Sequence, residues 1–450
     1  MKIPSLMIAA GSSGTGKTLI TCGLLQILKS RGYRVVSFKC GPDYIDPMFH
    51  SRVLGTKSRN LDTFLMGEKN VRESFFRNSD GYDAAVLEGV MGYYDGLAGI
   101  STKASAYDVA RTVDADVILL VNGKGMSLSV LAQIQGFLQY RPDSHIRGVI
   151  LNRISPMMYD RMEKLIQDEL HINVYGYVPE LKNQLLESRH LGLIMPEEIK
   201  GLQKQMELLG KTLEETVKVD ALLEDFQIKK KIPVDKDQVL LENKEKPVRV
   251  ALARDEAFCF MYEDNLDLLR RLGVELAEFS PIHDKALPEN CSGLLLYGGY
   301  PELYGEALSK NVGMRESILA ALRGGMPCMA ECGGFMYLQK SMKDMDGKEW
   351  PMVGFLPGGS FYTGHLSRFG YVELDGGTVF GVDVGWIPAH EFHYFDSTDC
   401  GEAFEARKPL SKRKWNCMYS SDTCLLGFPH LHYLGNPKIA ERFVRICKFL

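Results

Sequence analysis

The apolar run Ser5–Ala9 breaks at Gly11-Ser12-Ser13-Gly14-Thr15-Gly16-Lys17-Thr18, and a helical period over Thr18–Arg31 follows at once. The eight residues satisfy G-x-x-x-x-G-K-[ST] in full. Glycines let such a loop curl until its N–H groups face a phosphate, Lys17 adds positive charge, and the Thr18 hydroxyl can bind Mg²⁺. A strand that empties through this loop into a helix needs a parallel sheet around it. The segment Gly11, Ser12, Ser13, Gly14, Thr15, Gly16, Lys17, Thr18 is therefore read as the binding loop for a nucleoside triphosphate, with ATP and Mg²⁺ as the expected ligands.

The rest of the first half keeps that rhythm. Val35–Phe38, Ala84–Leu87, Val117–Val121 and Gly148–Leu151 read as further buried strands, and Leu128–Tyr140 as another helix. Alternation of this kind predicts a doubly wound α/β sheet with its ligands at the strand carboxyl ends. Two acidic clusters stand at such ends. Gly41-Pro42-Asp43-Tyr44-Ile45-Asp46-Pro47 follows the second strand, and Glu88-Gly89-Val90-Met91-Gly92, with Asp95 beyond, follows the third. Carboxylate oxygens suit a hard divalent cation, so Thr18, Asp46 and Glu88 are the expected metal ligands, with Glu88 at its strand tip the best of them. Asp43 and Asp46 could each hold metal or fix a loop over the γ-phosphate, although an Asx turn or helix cap explains a lone aspartate about as well.

From Phe226 to Pro247 the composition turns to Lys229-Lys230-Lys231 and Glu242-Asn243-Lys244-Glu245-Lys246, which reads as a solvated linker. Residues 1–226 form the first expected domain, 227–246 the linker and 247–450 the second domain. The second domain opens a new α/β set: strand Val248–Ala253, helix Tyr262–Leu272, strand Gly293–Tyr297, helix Met314–Arg323 and strand Pro327–Ala330.

That last strand runs into Glu331-Cys332-Gly333-Gly334. A cysteine on a strand-to-helix turn gains a helix N-terminus that favours its thiolate, and the glycines let a substrate approach the backbone. A lone cysteine is more often a small core residue. Two companions set Cys332 apart. Tyr297-Gly298-Gly299-Tyr300-Pro301-Glu302 can turn backbone N–H groups toward an oxyanion. Gly427-Phe428-Pro429-His430-Leu431-His432-Tyr433 brings a histidine, and cysteine with a sequence-distant histidine is the usual nucleophile–base pair. His432 competes with His430 for that role. The alternation His390-Glu391-Phe392-His393-Tyr394 suits a strand or an active-site loop, with metal binding a distant second.

The ten cysteines are scattered without CxxC spacing, so reduced thiols in the cytoplasm are expected rather than a disulfide framework. Ile3–Ala10 reads as a buried strand rather than a signal peptide, and no run approaches a membrane span. A net charge of -4 argues against a nucleic-acid partner.

Several long strings in this order resemble the cobyrinate a,c-diamide synthases of cobalamin biosynthesis over essentially the whole chain. They are Gly11–Thr18, Gly41–Pro47, Glu88–Gly92 with Asp95-Gly96, Ala251–Phe258, Gly298–Glu302, Glu331–Leu338 and His390–Tyr394. The resemblance implies an N-terminal synthetase domain similar to dethiobiotin synthetase and a C-terminal class-I glutamine amidotransferase-like α/β domain. It implies amidation of the a and c acetates of cobyrinic acid with ATP, Mg²⁺ and L-glutamine, through an acyl phosphate. By the same resemblance Cys332 is the nucleophile, and the first histidine of His430-Leu431-His432 is the base. Lys17, Thr18, Asp43, Asp46, Glu88 and Asp95 belong to the synthetase site. Where the wider class-I enzymes carry a glutamate two residues after that histidine, this chain has His432, so a Cys–His pair with a less strictly oriented imidazole is expected.

Ni-sirohydrochlorin and hydrogenobyrinate are alternative macrocycles for the same chemistry, and Arg52, Lys57, Arg59, Arg189 and Arg368 are candidates to meet substrate carboxylates. A partitioning-type switch ATPase would share the first domain but would need neither Cys332 nor His430. Oligomeric state is left open, a homodimer included.

Overall fold

The computed structural model describes residues 4–180, 201–228 and 247–449. The chain divides into two compact units, residues 1–237 and 238–450. The division falls within the stretch read as a linker, of which 229–246 lie outside the described residues, as does Arg189.

The first unit is built on seven strands: β1 (Ser5–Ala10), β2 (Val35–Cys40), β3 (Ser58–Leu61), β4 (Ala84–Glu88), β5 (Asp116–Asn122), β6 (Ile146–Asn152) and β7 (Asn173–Val178). All pair in parallel, in the order β3-β2-β4-β1-β5-β6-β7. Strands covered on both faces must be apolar throughout, which is why β1, β2 and β4 are buried at every residue. β1 lies between β4 and β5, so the loop after it opens where the chain order reverses. Helix Lys17–Ser30 starts there, behind Gly16 at φ 96°, a left-handed conformation that favours glycine. A Cβ on Gly16 would also come within 2.9 Å of the Asn152 amide nitrogen, which donates to the Thr15 carbonyl.

The second unit has a central sheet of β8 (Val248–Ala253), β9 (Val274–Phe279), β10 (Leu294–Leu296) and β11 (Cys328–Glu331), to which later strands add. Those are β12 (Ser341–Lys343), β13 (Glu349–Pro351), β14 (Gly359–Tyr362), β15 (Arg368–Asp375), β16 (Ile387–His393), β17 (Phe395–Ser397), β18 (Phe404–Arg407), β19 (Lys414–Cys417), β20 (Tyr419–Ser420), β21 (Cys424–Gly427) and β22 (His430–Leu431). The central order is β20-β21-β11-β10-β8-β9, parallel except for the edge strand β20.

Alternate residues of these strands feed two separate cores. Val250, Leu252, Leu295, Tyr297 and Met329 pack on one face, with Phe443 and Val444 of the C-terminal helix Lys438–Cys447. Ala251, Ala253, Leu294, Leu296 and Ala330 pack on the other, with Ile318 and Leu322 of helix Val312–Arg323. Besides β3, β7, β9 and the sheet β13-β12-β14-β17, the strand–helix rhythm did not foretell the antiparallel sheet β19-β18-β15-β16-β22. That last sheet places His390 opposite His430 in register. No described helix is long and apolar enough to cross a membrane.

Candidate active site

In the first unit the loop after β1 meets the ends of β2 and β4. The Thr18 hydroxyl donates to Glu88 Oε1 at 2.5 Å and lies 3.4 Å from Asp46 Oδ2. Lys17 Nζ donates to the carbonyls of Ser12 and Met91 at 2.9 and 2.5 Å, so its ammonium is held across the mouth of the loop. Burial, and then the nearby Lys39, lower the Lys17 pKa to about 8. Asp43 Oδ1 accepts the Ile45 N–H at 3.0 Å, an Asx turn, and Asp95 Oδ2 accepts the Gly92 N–H at 3.0 Å. These two carboxylates shape the loops, whereas Asp46 and Glu88 converge with Thr18.

The sequence reading missed Lys39. Its ammonium stands between Asp46 Oδ2 at 2.5 Å and Glu88 Oε1 at 2.7 Å, all three side chains being buried. Burial alone would strip its proton, but Asp46 and then Glu88 outweigh that and raise its pKa well above the ordinary value. Burial likewise opposes ionisation of Glu88, yet Lys39 and His50, whose Nε2 is 3.2 Å from Glu88 Oε2, hold Glu88 well below the usual carboxylate range. Asp46 goes the other way, raised by burial and by Glu88. A lysine inside the largely apolar strand Val35-Val36-Ser37-Phe38-Lys39-Cys40 was the signal available, since a buried lysine needs a partner.

The donor set fits Mg²⁺. Two carboxylates and a hydroxyl are hard oxygen donors, and Lys39 already shows that a cation is stable between them. No group of three or more His, Cys, Asp or Glu among the described residues could cage a metal. Mg²⁺ accepts few protein ligands and completes its shell with water and phosphate oxygens.

In the second unit three neighbouring parallel strands end at one place. Gly298 and Gly299 follow β10, Cys332 follows β11, and His430 lies just past β21. A Cβ on Gly298 would sit 2.7 Å from His430 Cε1 and 3.5 Å from Cys332 Cβ, so imidazole and thiol face the same small space. Cys332 takes φ 47° and ψ -108°, a conformation a non-glycine residue holds only under constraint. Its N–H donates to the Gly427 carbonyl at 2.8 Å, which ties the turn to β21. A Cβ on Gly333 would meet the Gly299 nitrogen at 3.2 Å, so the two glycine turns lie against each other.

The expected preference for a thiolate is not what this geometry favours at rest. Helix Gly333–Leu338 has only six residues, and although the Gly333 N–H lowers the Cys332 pKa, burial and then Glu302 push it well up. The thiol therefore needs a base. Burial lowers His430 to about 3 and His432 to about 4, so both are neutral imidazoles. His432 packs on the Tyr262 ring, with centroids 4.8 Å apart, while His430 is the one beside Cys332. His393 belongs to neither role: its Nδ1 lies 2.6 Å from the Phe395 carbonyl and its ring stacks on Phe428. Of the cationic residues considered for substrate, Arg368 stacks over Trp415 at 4.5 Å, and Arg59 donates to the Ser58 carbonyl.

Residues 6–193 match the CobQ/CobB/MinD/ParA nucleotide-binding domain family, and residues 249–427 the CobB/CobQ-like glutamine amidotransferase domain family. The chain is 40% identical over 450 residues to the cobyrinate a,c-diamide synthase of Clostridium acetobutylicum, covering 98% of this chain and 100% of that one. It is 38% identical to the enzyme of that name from Caldanaerobacter subterraneus over 98% of each chain. The Listeria innocua protein is 39% identical over 96% of this chain and 97% of its own. A nucleotide-binding unit joined to a glutamine-cleaving unit defines a glutamine-dependent, amide-forming ligase. The chain belongs to the cobyrinate a,c-diamide synthase family.

Proposed function

We propose that the chain converts the a and c acetate carboxylates of cobyrinic acid to amides, using ATP and L-glutamine. A carboxylate and ammonia do not condense in water, because the carboxylate repels nucleophiles and hydroxide leaves poorly. Transfer of the γ-phosphoryl group to the carboxylate gives an acyl phosphate and ADP. Ammonia then displaces phosphate to give the amide. Lys17 faces the phosphates and offsets charge on the transferring group. Thr18, Asp46 and Glu88 would hold Mg²⁺, which supplies further charge neutralisation when bound. Lys39 keeps Glu88 ionised and positions both carboxylates.

In the second unit, His430 takes the Cys332 proton as sulfur attacks the glutamine amide carbon. The backbone N–H groups of Gly299 and Gly333 receive the developing oxyanion. His430 then protonates the departing ammonia, and water frees glutamate from the thioester.

The observation that carries the reading is the convergence of Cys332, His430 and Gly298 at three adjacent strand ends, in a chain that also holds a complete phosphate loop. The choice of macrocycle rests on the near-full-length likeness to the named synthases. Protein incubated with ATP, Mg²⁺, glutamine and cobyrinic acid should yield two successive exchanges of OH for NH₂ by mass spectrometry. The same shifts appearing only with Ni-sirohydrochlorin or hydrogenobyrinate would keep the chemistry and replace the substrate. No exchange with any of the three would end the proposal.

A further inference from the structure

We propose that Glu331, the residue directly before Cys332, is the positioning carboxylate that orients His430. Its Oε2 lies 3.7 Å from His430 Nδ1, and both side chains are almost wholly buried. The inference rests on the Cys332–His430 reading and adds a third member to it.

Glu331 ends β11, and His430 opens β22 just past β21, the strand that lies parallel to β11. β11 pairs with β21, with Glu331 opposite Gly427. The Cys332 N–H donates to the Gly427 carbonyl, so the register that places the thiol also places the carboxyl. The Leu431 N–H is a donor to the Glu331 carboxyl. Glu331 thus holds the backbone just after His430 as well as facing its ring. A gap of 3.7 Å is longer than a hydrogen bond, and closing it takes a shift of about 0.5–1 Å, as catalytic contacts do when substrate enters.

The chemistry explains why a carboxyl belongs there. When the imidazole accepts the Cys332 proton at Nε2 it becomes a buried cation, and a buried cation without a counter-charge is costly. A carboxylate at Nδ1 compensates that charge and fixes the ring so that Nε2 addresses sulfur. Burial pushes the Glu331 carboxyl well up and the His430 imidazole down, so each group is held neutral at rest. Two residues past His430, His432 is occupied with Tyr262. Glu391 is the competing carboxylate: its charge raises the His430 pKa, while its Oε1 lies 3.9 Å from His393 Nε2. Tyr297 and Tyr433, with hydroxyls 2.9 Å apart, complete the polar surroundings of Glu331.

The test measures glutamate release from L-glutamine by full-length Glu331→Gln, Glu331→Asp, Glu391→Gln and Cys332→Ala proteins. Gln keeps the shape and loses the charge; Asp keeps the charge and shortens the arm. A positioning carboxylate predicts that Glu331→Gln lowers kcat by about 10²–10⁴-fold with little change in KM. It also predicts that Glu331→Asp retains more activity than Glu331→Gln, and that Glu391→Gln loses less than Glu331→Gln. A merely structural Glu331 predicts the reverse order of Gln and Asp. That order, or a large loss confined to Glu391→Gln, would overturn the proposal. Should Glu331→Gln fail to fold by thermal melting, a Glu331→Asp protein that folds but has lost kcat to the level of Cys332→Ala also refutes it. If Cys332→Ala still hydrolyses glutamine, the underlying reading is wrong; if it is dead while Glu331→Gln keeps wild-type kcat, this inference alone fails.

Discussion

Lys39 Nζ lies 2.7 Å from Glu88 Oε1 at the foot of the nucleotide loop, a buried ion pair contributed by two adjacent parallel strands. Removing one partner of such a pair leaves the other charge buried and uncompensated, at a cost of about 3–5 kcal/mol. Lys39→Met should therefore lower the melting temperature of the first unit and abolish ATP-dependent amide formation. Lys39→Arg should not restore it, because a planar guanidinium does not fit a site shaped for a compact ammonium. Calorimetry and product mass check both statements.

Lys17→Ala is expected to abolish nucleotide-driven amidation while leaving glutamine hydrolysis measurable. In the wild-type protein without ligand, Lys17 is charged below about pH 8 and neutral above it. Affinity for ADP or ATP, measured by titration calorimetry, should then weaken as pH rises through that value.

Cys332→Ala should lose glutamine-dependent amidation by several orders of magnitude and recover with ammonium salts, because the phosphoryl chemistry does not use the thiol. Failure of ammonia to rescue would contradict the proposed division of labour.

Gly298→Ala would set a methyl 2.7 Å from His430 Cε1. The imidazole must move to relieve that contact. A displacement near 1 Å at a reacting group can cost about 10²-fold in rate. Glutaminase kcat should fall on that scale, and ammonia-driven amidation should not change.

His430 and His432 stay neutral when folded, at about 3 and about 4, against an ordinary value near 6.5. The folded-state values are depressed, so the stability tied to them is complete above about pH 6.5 and is lost as pH falls toward those values. Each imidazole gives up about 2 kcal/mol between pH 6.5 and 5. Among the described residues neither ring nitrogen of His432 finds a hydrogen-bond partner. His432→Phe should accordingly reduce the acid sensitivity of melting and keep glutaminase activity within a few-fold, whereas His430→Phe should abolish it.

Much of the architecture was legible in advance because parallel strands declare themselves. A strand covered on both faces must be apolar along its length, and glycine-rich turns mark where it ends. Val248–Ala253 was read to the residue, and the other strands named in advance to within two residues at each end. The antiparallel strands of the second unit were not legible, since their alternation is short and interrupted by turns. His390–Tyr394 could be taken only as a strand or a loop. The motifs around Thr18, Glu88, Cys332 and His430 stood out because each follows a strand end, where this class of fold collects its chemistry.

By itself the amino-acid sequence determined which residues carry the reactive groups: a complete phosphate loop, strand-end carboxylates, and a cysteine with distant histidines. Periodicity and glycine placement are local properties, and local properties survive in a linear string. Tertiary structure alone decided which groups meet. Strand register put Lys39 between Asp46 and Glu88, set His430 rather than His432 beside Cys332, and brought Glu331 within 3.7 Å of that imidazole. It also reversed the expectation for the thiol, because burial outweighs a short helix end. Distances and dielectric environment arise from packing between elements remote in the chain, and no local pattern encodes them.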